Sequence, residues 1–260
     1  MASPLRALAD EAERRATPAE VSAIQAAELE ARALRPAPAS VEIPILIYHH
    51  VVPDHAQGVL YVTPDGFEQQ LKYLSDNGYR SVSFADLANC LECGASLPER
   101  PVILSFDDGW SNQYQYAFPL LQKYGFSGTF YVVAGYVDHQ NFITSEQLKT
   151  MMAAGMVIGG HSRTHPALSG VGTARLKDEV AGSKAWLEDR LGVAIDSFAY
   201  PYGSYSSATV AAVKAAGYRT ARTVDTGTQA RADNLALLPA VLFSQYVNHY
   251  RGNVEMAALR

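Results

Sequence analysis

The sequence predicts an α/β protein, an irregular (β/α) barrel of seven or eight parallel strands with appended N-terminal helices. Three observations carry that expectation. From Val41 onward, eight short apolar runs alternate with amphipathic segments of helical length, the pattern of βα repetition. At 260 residues, 48% hydrophobic and 18% charged, the chain can bury a full core and is too apolar for a disordered tail. Residues 3–35, by contrast, are rich in Ala, Glu and Arg, with Leu and Ile at loosely helical spacing. An open doubly wound sheet shares the alternation, so closure of the sheet is not written in the sequence.

Taken in order, residues 1–40 read as a helical extension. Thr17 and Pro18 can start a second helix there, and "RPAPAS" forms a Pro-rich linker. The main domain is expected over 41–260. Its strand candidates are "IPILIY", "YRSVS", "PVILSF", "GTFYVV", "MVIGG", "SFAY", "YRTAR" and "LLPAVLF". Helices fit between them. "TPDGFEQQLKYLSDNG" opens with Thr63 before Pro64 and stops at Gly78. "TSEQLKTMMAAG" has the Thr144 and Gln147 spacing of a capping box and ends at Gly155.

Composition also excludes. A net charge of −5 shows no basic bias, so nucleic acid is not an expected partner. No run of about 18 apolar residues exists, and "MASPLRALADEAERR" lacks the apolar centre of a secretory signal. The only cysteines, Cys90 and Cys93, lie near the end of an expected helix. Two ligands alone do not build a structural zinc site, so two partly buried thiols are expected, with a local disulfide as the alternative in an oxidising compartment.

Chemistry-bearing residues collect after strands, where barrels and open α/β sheets both place their sites. In "LSFDDGW", Asp107 and Asp108 follow the continuously apolar "PVILSF". Successive residues of an extended chain point in opposite directions, so one carboxylate can bind a metal while the other handles a proton. In "VIGGHSRTHP", His161 and His165 are four apart, but Pro166 disfavours helical geometry at His165 and points to a loop. Two imidazoles and a carboxylate leave open positions on a metal for water and substrate. In "FAYPYGSYS", Tyr202 and Gly203 after Pro201 read as a tight turn able to aim a backbone N–H at an oxyanion.

"SFDDG", "HSRTH" and "FAYPYGSY", in this order, resemble the first three motifs of the polysaccharide deacetylases of carbohydrate esterase family 4, the NodB-homology domain. "IPILIYHHV" and "DGFEQQLKYLSDNGYRSVSFADL" are similar to the subgroup that includes poly-N-acetylglucosamine deacetylases. The resemblance spans roughly residues 41–243. It implies that Asp107 is the general base and that Asp108, His161 and His165 hold a divalent metal, commonly zinc, with cobalt, nickel and manganese as alternatives. It implies that the Tyr202 backbone N–H stabilises the oxyanion, and that the reaction removes N-acetyl groups from N-acetylglucosamine residues of a polysaccharide, releasing acetate. Such polymers lie outside the cell, so an extracytoplasmic location follows, with an export or membrane-anchoring segment expected to precede the helices. A carbohydrate-binding domain with little turnover, or an amidase acting on a non-sugar substrate, is the alternative.

Two positions depart from the family pattern. Its arginine two residues before the third-motif proline is Ala199 here, which leaves the orientation of Asp107 unexplained. The family's last motif usually supplies a histidine as general acid after a Leu-x-Leu pattern, but "LALLPAVLFSQY" has none and His249 comes late, so the acid is unassigned between His49, which matches the subgroup's Tyr-His position, and His249. His50, His55 and His139 are expected to be ordinary loop residues, and Asp225 and Asp233 receive no role. Among the aromatic residues offered as a sugar platform, Tyr114, Tyr205 and Tyr246 rank behind Trp110 and Tyr202, which adjoin the motifs.

Overall fold

The structure is a computed structural model that describes residues 36–53, 58 and 60–242. The expected N-terminal helices, His55, Tyr246 and His249 lie outside the described residues. Among the described residues no helix is long and apolar enough to cross a membrane.

In chain order the strands are β1 (Val41–Glu42), β2 (Ile45–Tyr48), β3 (His50–Val51), β4 (Tyr61–Val62), β5 (Arg80–Ser81), β6 (Pro101–Phe106), β7 (Thr129–Val132), β8 (Val157–Gly160), β9 (Ser197–Ala199), β10 (Thr220–Thr226), β11 (Gln229–Ala230) and β12 (Leu238–Leu242). Seven of them close a parallel barrel in the order β2-β12-β10-β9-β8-β7-β6, and β6 returns to β2 from Ile45↔Ile103 to Tyr48↔Phe106. The eighth expected strand, "YRSVS", shrinks to two residues that extend the sheet beside Pro101 and Val102. Each of the eight sequence segments thus contributes a strand, and the barrel reading prevails over the open sheet.

The helices are α1 (Pro64–Asp76), α2 (Phe84–Cys93), α3 (Phe118–Tyr124), α4 (Ser145–Ala153), α5 (Thr173–Lys177), α6 (Ser183–Leu191) and α7 (Ser207–Ala215). Their starts follow the sequence. Thr63 Oγ1 accepts from the Gly66 N–H with Pro64 in the first turn, and Thr144 and Gln147 exchange both bonds of a capping box. Ser83 and Asp86 do the same for α2, and Gly94 closes it in the left-handed region.

Strands covered on both faces read as continuous apolar runs, and β2 shows why. Ile45 and Ile47 join an inner cluster with Ile103, Tyr131, Ala199 and Leu238, into which α2 inserts Phe84, Leu87 and Leu91. Leu46 and Tyr48 join the outer cluster, where Phe67, Leu71 and other helix residues cover the barrel. Gly159 and Gly160 let β8 fit between the two layers: a Cβ at Gly159 would stand 2.4 Å from the Tyr131 ring, and one at Gly160 2.3 Å from the Tyr218 hydroxyl. Cys90 is buried and Cys93 exposed, both free, so the pair splits across the α2 surface instead of sharing partial burial.

Candidate active site

Four barrel strands deliver the sequence-predicted residues to one rim. His49 follows β2, Asp107 and Asp108 follow β6, His161 follows β8, and Tyr202 lies in the turn after β9. Non-glycine residues in the left-handed region concentrate here: Asp108 (φ 74°), Ser162 (φ 62°), His165 (φ 60°) and Tyr202 (φ 58°). Such backbone costs energy for a residue with a Cβ and persists where its surroundings enforce it, commonly at functional sites. The two acids therefore diverge through a turn at Asp108 rather than through strand alternation. His165 is in a loop, as Pro166 requires, and its N–H donates to Ser162 Oγ at 2.9 Å.

Asp108, His161 and His165 meet. Asp108 Oδ1 lies 3.4 Å from His161 Nε2 and 3.2 Å from His165 Nε2, and the two Nε2 atoms are 3.2 Å apart. A tetrahedral zinc shell with ligand distances of about 2.0–2.2 Å has edges of about 3.3–3.6 Å, so this triangle matches one of its faces. The fit extends outward. His161 Nδ1 donates to the Ala199 carbonyl at 2.8 Å, which fixes the tautomer and leaves Nε2 free to ligate. Burial opposes charge on Asp108, but hydrogen bonds from His161 and His165 outweigh it and hold the carboxyl well below the usual carboxylate range. Burial likewise opposes charge on His161, and Asp108 and Asp107 together raise its pKa regardless. These three can accept a divalent cation and leave a face open.

The loop bearing both histidines is braced from below. Glu179 is 2% exposed, and its Oε2 accepts the N–H groups of Arg163 (3.0 Å) and Thr164 (2.8 Å) while Oε1 accepts from Thr164 Oγ1 at 2.5 Å. It sits on a π-helical turn, Asp178–Gly182, a local widening that turns residues inward.

Asp107 is 3% exposed, and Arg222, fully buried on β10, donates to its Oδ1. Arg222 is the residue that sequence reasoning missed. It pairs in register with Ala199 on the neighbouring strand, so both side chains face the barrel interior. Its only sequence signal is a charge inside the strand "YRTARTV", where a charge is rarely buried unless paired. Burial pushes the Asp107 carboxyl up, but the charges of Arg222, His161 and His49 prevail and hold it below its ordinary value. Those charges favour its ionised form, which can take a proton.

His49 Nε2 stands 3.7 Å from Asp107 Oδ2, and its Nδ1 is buried with no partner among the described residues. Burial, with the charges of Arg222 and His161, outweighs the pull of Asp107 and Asp108 and lowers its pKa. Fully buried Gln113, on the π-helical turn Gln113–Ala117, ties the two segments by donating to the backbone carbonyls of His49 (2.8 Å) and Asp107 (2.5 Å).

Of the other candidates, Tyr202 and Trp110 stay beside the triangle and the rest do not. Tyr202 is 70% exposed with its ring 4.6 Å from that of His165, whereas the Trp110 ring stacks with His50 and Phe142. Tyr114 packs on Phe118, and Tyr205 donates to Asp225, away from the triangle. Asp233 pairs with Arg231. His50 is more than a loop residue, since Asn112 Nδ2 donates to its Nδ1 at 3.1 Å.

Residues 94–221 match the polysaccharide deacetylase family. YxkH of Bacillus subtilis (strain 168), named for the same family, is 30% identical over 203 residues, covering 78% of this chain and 72% of that protein. The poly-beta-1,6-N-acetyl-D-glucosamine N-deacetylase of Escherichia coli (strain K12) is 24% identical across 77% of this chain and 36% of its own length. Among solved structures, the Streptococcus pyogenes deacetylase PplD in complex with acetate superposes with a TM-score of 0.78 at 29% identity, covering 85% of this chain and 99% of that one. IcaB from Ammonifex degensii gives 0.72 at 27% identity over 84% and 97%. With sequence identity sustained over most of both chains and the motif residues gathered at one barrel mouth, this chain belongs to the polysaccharide deacetylase family.

Proposed function

We propose that the protein hydrolyses N-acetyl groups of N-acetylglucosamine residues in a polysaccharide, releasing acetate and leaving a free amine on the sugar. The observation that carries this reading is the Asp108–His161–His165 triangle, 3.2–3.4 Å on each edge, with a buried, ionised Asp107 next to it. Asp108, His161 and His165 would hold a divalent ion, for which zinc suits the two-imidazole, one-carboxylate donor set, and it would supply polarisation of the amide carbonyl and a lower pKa for a water in the site. Asp107 takes a proton from the attacking water. Arg222 keeps that carboxylate ionised and oriented from within the barrel, the task the family gives to the residue at Ala199. The Tyr202 backbone N–H, presented by the left-handed turn, stabilises the oxyanion, and His49 delivers a proton to the departing nitrogen.

The polymer class is supported by the named activity of the Escherichia coli relative, of whose length this chain spans about a third. An extracytoplasmic site of action follows from that substrate. The test is acetate release from N-acetylglucosamine oligomers of increasing length, with chelated protein before and after addition of zinc. Release restored by zinc and rising with oligomer length is expected. No release with zinc, cobalt, nickel or manganese would overturn the reading.

A further inference from the structure

Asp108 has two carboxylate oxygens, and they are used differently. Oδ1 faces both histidines, while Oδ2 accepts from the Trp110 indole N–H at 2.9 Å. Indole nitrogen is a donor only, so this bond has one possible direction. A carboxylate that ligates through both oxygens occupies two positions of a metal shell; with two imidazoles already present, that leaves fewer places for water and the substrate carbonyl.

The indole is held on several sides. Its ring lies 4.5 Å from the His50 ring and 4.5 Å from the Phe142 ring. Beyond these, Tyr61 stacks on His50 at 4.6 Å and 8°, and Tyr136 meets Phe142 at 4.7 Å, making a run of five rings along the rim. The backbone fixes both ends of the run. Asn112 donates to His50 Nδ1 and accepts the Val51 N–H at 3.0 Å, while Ser111 N–H donates to Asn141 and Ile143 N–H donates to Gly109. A half-buried indole placed this way cannot follow Oδ2 if the carboxylate rotates toward a metal.

We propose that Trp110 is a positioning residue for the metal ligand Asp108: its N–H restrains Oδ2, so that Asp108 ligates through Oδ1 alone, and the His50 and Phe142 rings hold the indole in place. This rests on the reading of Asp108, His161 and His165 as metal ligands. Outer partners of metal ligands typically carry about 10–100-fold in affinity.

The experiment measures zinc binding to the full chain by competition with a chromophoric chelator, for the wild type, Trp110→Phe and Asp108→Ala, alongside the thermal midpoint of each metal-free protein. Trp110→Phe keeps a ring in the stack and removes the N–H. Zinc binding weakened about 10–100-fold, with an unchanged metal-free midpoint, is expected. The cobalt form of the variant should also lose visible absorption intensity as the second oxygen joins the shell. If Trp110→Phe lowers the metal-free midpoint, the benzothiophene analogue of tryptophan at position 110, which keeps the bicyclic shape without an N–H, carries the same comparison. Wild-type affinity in the variant lacking the N–H, to within twofold, overturns the role of Trp110 and leaves the metal reading standing. Wild-type zinc binding no tighter than that of Asp108→Ala overturns the metal reading itself.

Discussion

Replacing Arg222 with methionine removes the one guanidinium that meets the Asp107 carboxylate inside the barrel. Both side chains are almost wholly buried, so the variant strands a buried carboxylate with only His49 and His161 as cationic neighbours, a change that typically costs about 3–5 kcal/mol. The loss depends on pH, and its sign can be worked out. With Arg222 present, Asp107 has a folded pKa below its unfolded value, so the pair stabilises the fold above about pH 4 and that contribution fades as pH falls through the lower folded value. Without Arg222, the upward push of burial is opposed only by His161 and His49, so the folded pKa of Asp107 rises. The variant then loses stability relative to wild type as pH rises. Urea unfolding of metal-free wild type and Arg222→Met, at pH 3.5 and pH 7, therefore gives a difference near its full size at pH 7 and a smaller one at the acid value. A difference of equal size at both values would refute the argument and assign the effect to lost side-chain volume and the lost contact with Tyr131.

Glu179→Gln keeps one oxygen for the Arg163 and Thr164 N–H groups but puts an amide NH2 where Oε1 accepts from Thr164 Oγ1 and pairs with Arg175, so unfolding measured at neutral pH should show a loss of about 1–3 kcal/mol and calorimetry a weaker zinc affinity. Burial opposes ionisation of Glu179, but its hydrogen bonds hold the pKa below the ordinary value; the stability difference from wild type is therefore present above about pH 4.5 and closes as pH falls through the folded value. Tyr202→Asn keeps the backbone N–H and a residue type that tolerates the left-handed region, so kcat for acetate release should hold within a fewfold while KM rises through loss of the exposed ring. A kcat collapse in that variant would show that the side chain acts in the chemistry.

Much of the fold was legible because its determinants are local. "PVILSF" can only be a strand buried on both faces, and Thr63, Ser83 and Thr144 cap the helices they precede. The Asp108–His161–His165 triangle was legible because its members sit at strand ends in motifs of recognisable spacing. Closure of β2 onto β6 was not, since two parallel strands about 60 residues apart carry no mark of whether they touch. Arg222 stayed hidden for the same reason: its partner lies 115 residues away, and nothing local in "YRTARTV" separates it from the surface-paired Arg219. Glu179, within "LKDEVAG", reads as an outward helix charge, and the π-helical turn that swings it inward has no local signature. The divergence of Asp107 and Asp108 was expected for the wrong geometric reason, because a left-handed aspartate ahead of glycine is not visible as such in the sequence.

The central claim is a division of labour between adjacent acids, and Asp107→Asn tests it most directly. Zinc stoichiometry and acetate release from an N-acetylglucosamine oligomer should be measured on the same sample. The account predicts one zinc per chain, bound as in the wild type, with release reduced by about 10²–10⁴-fold. Undiminished release, or loss of the zinc together with the activity, would contradict it.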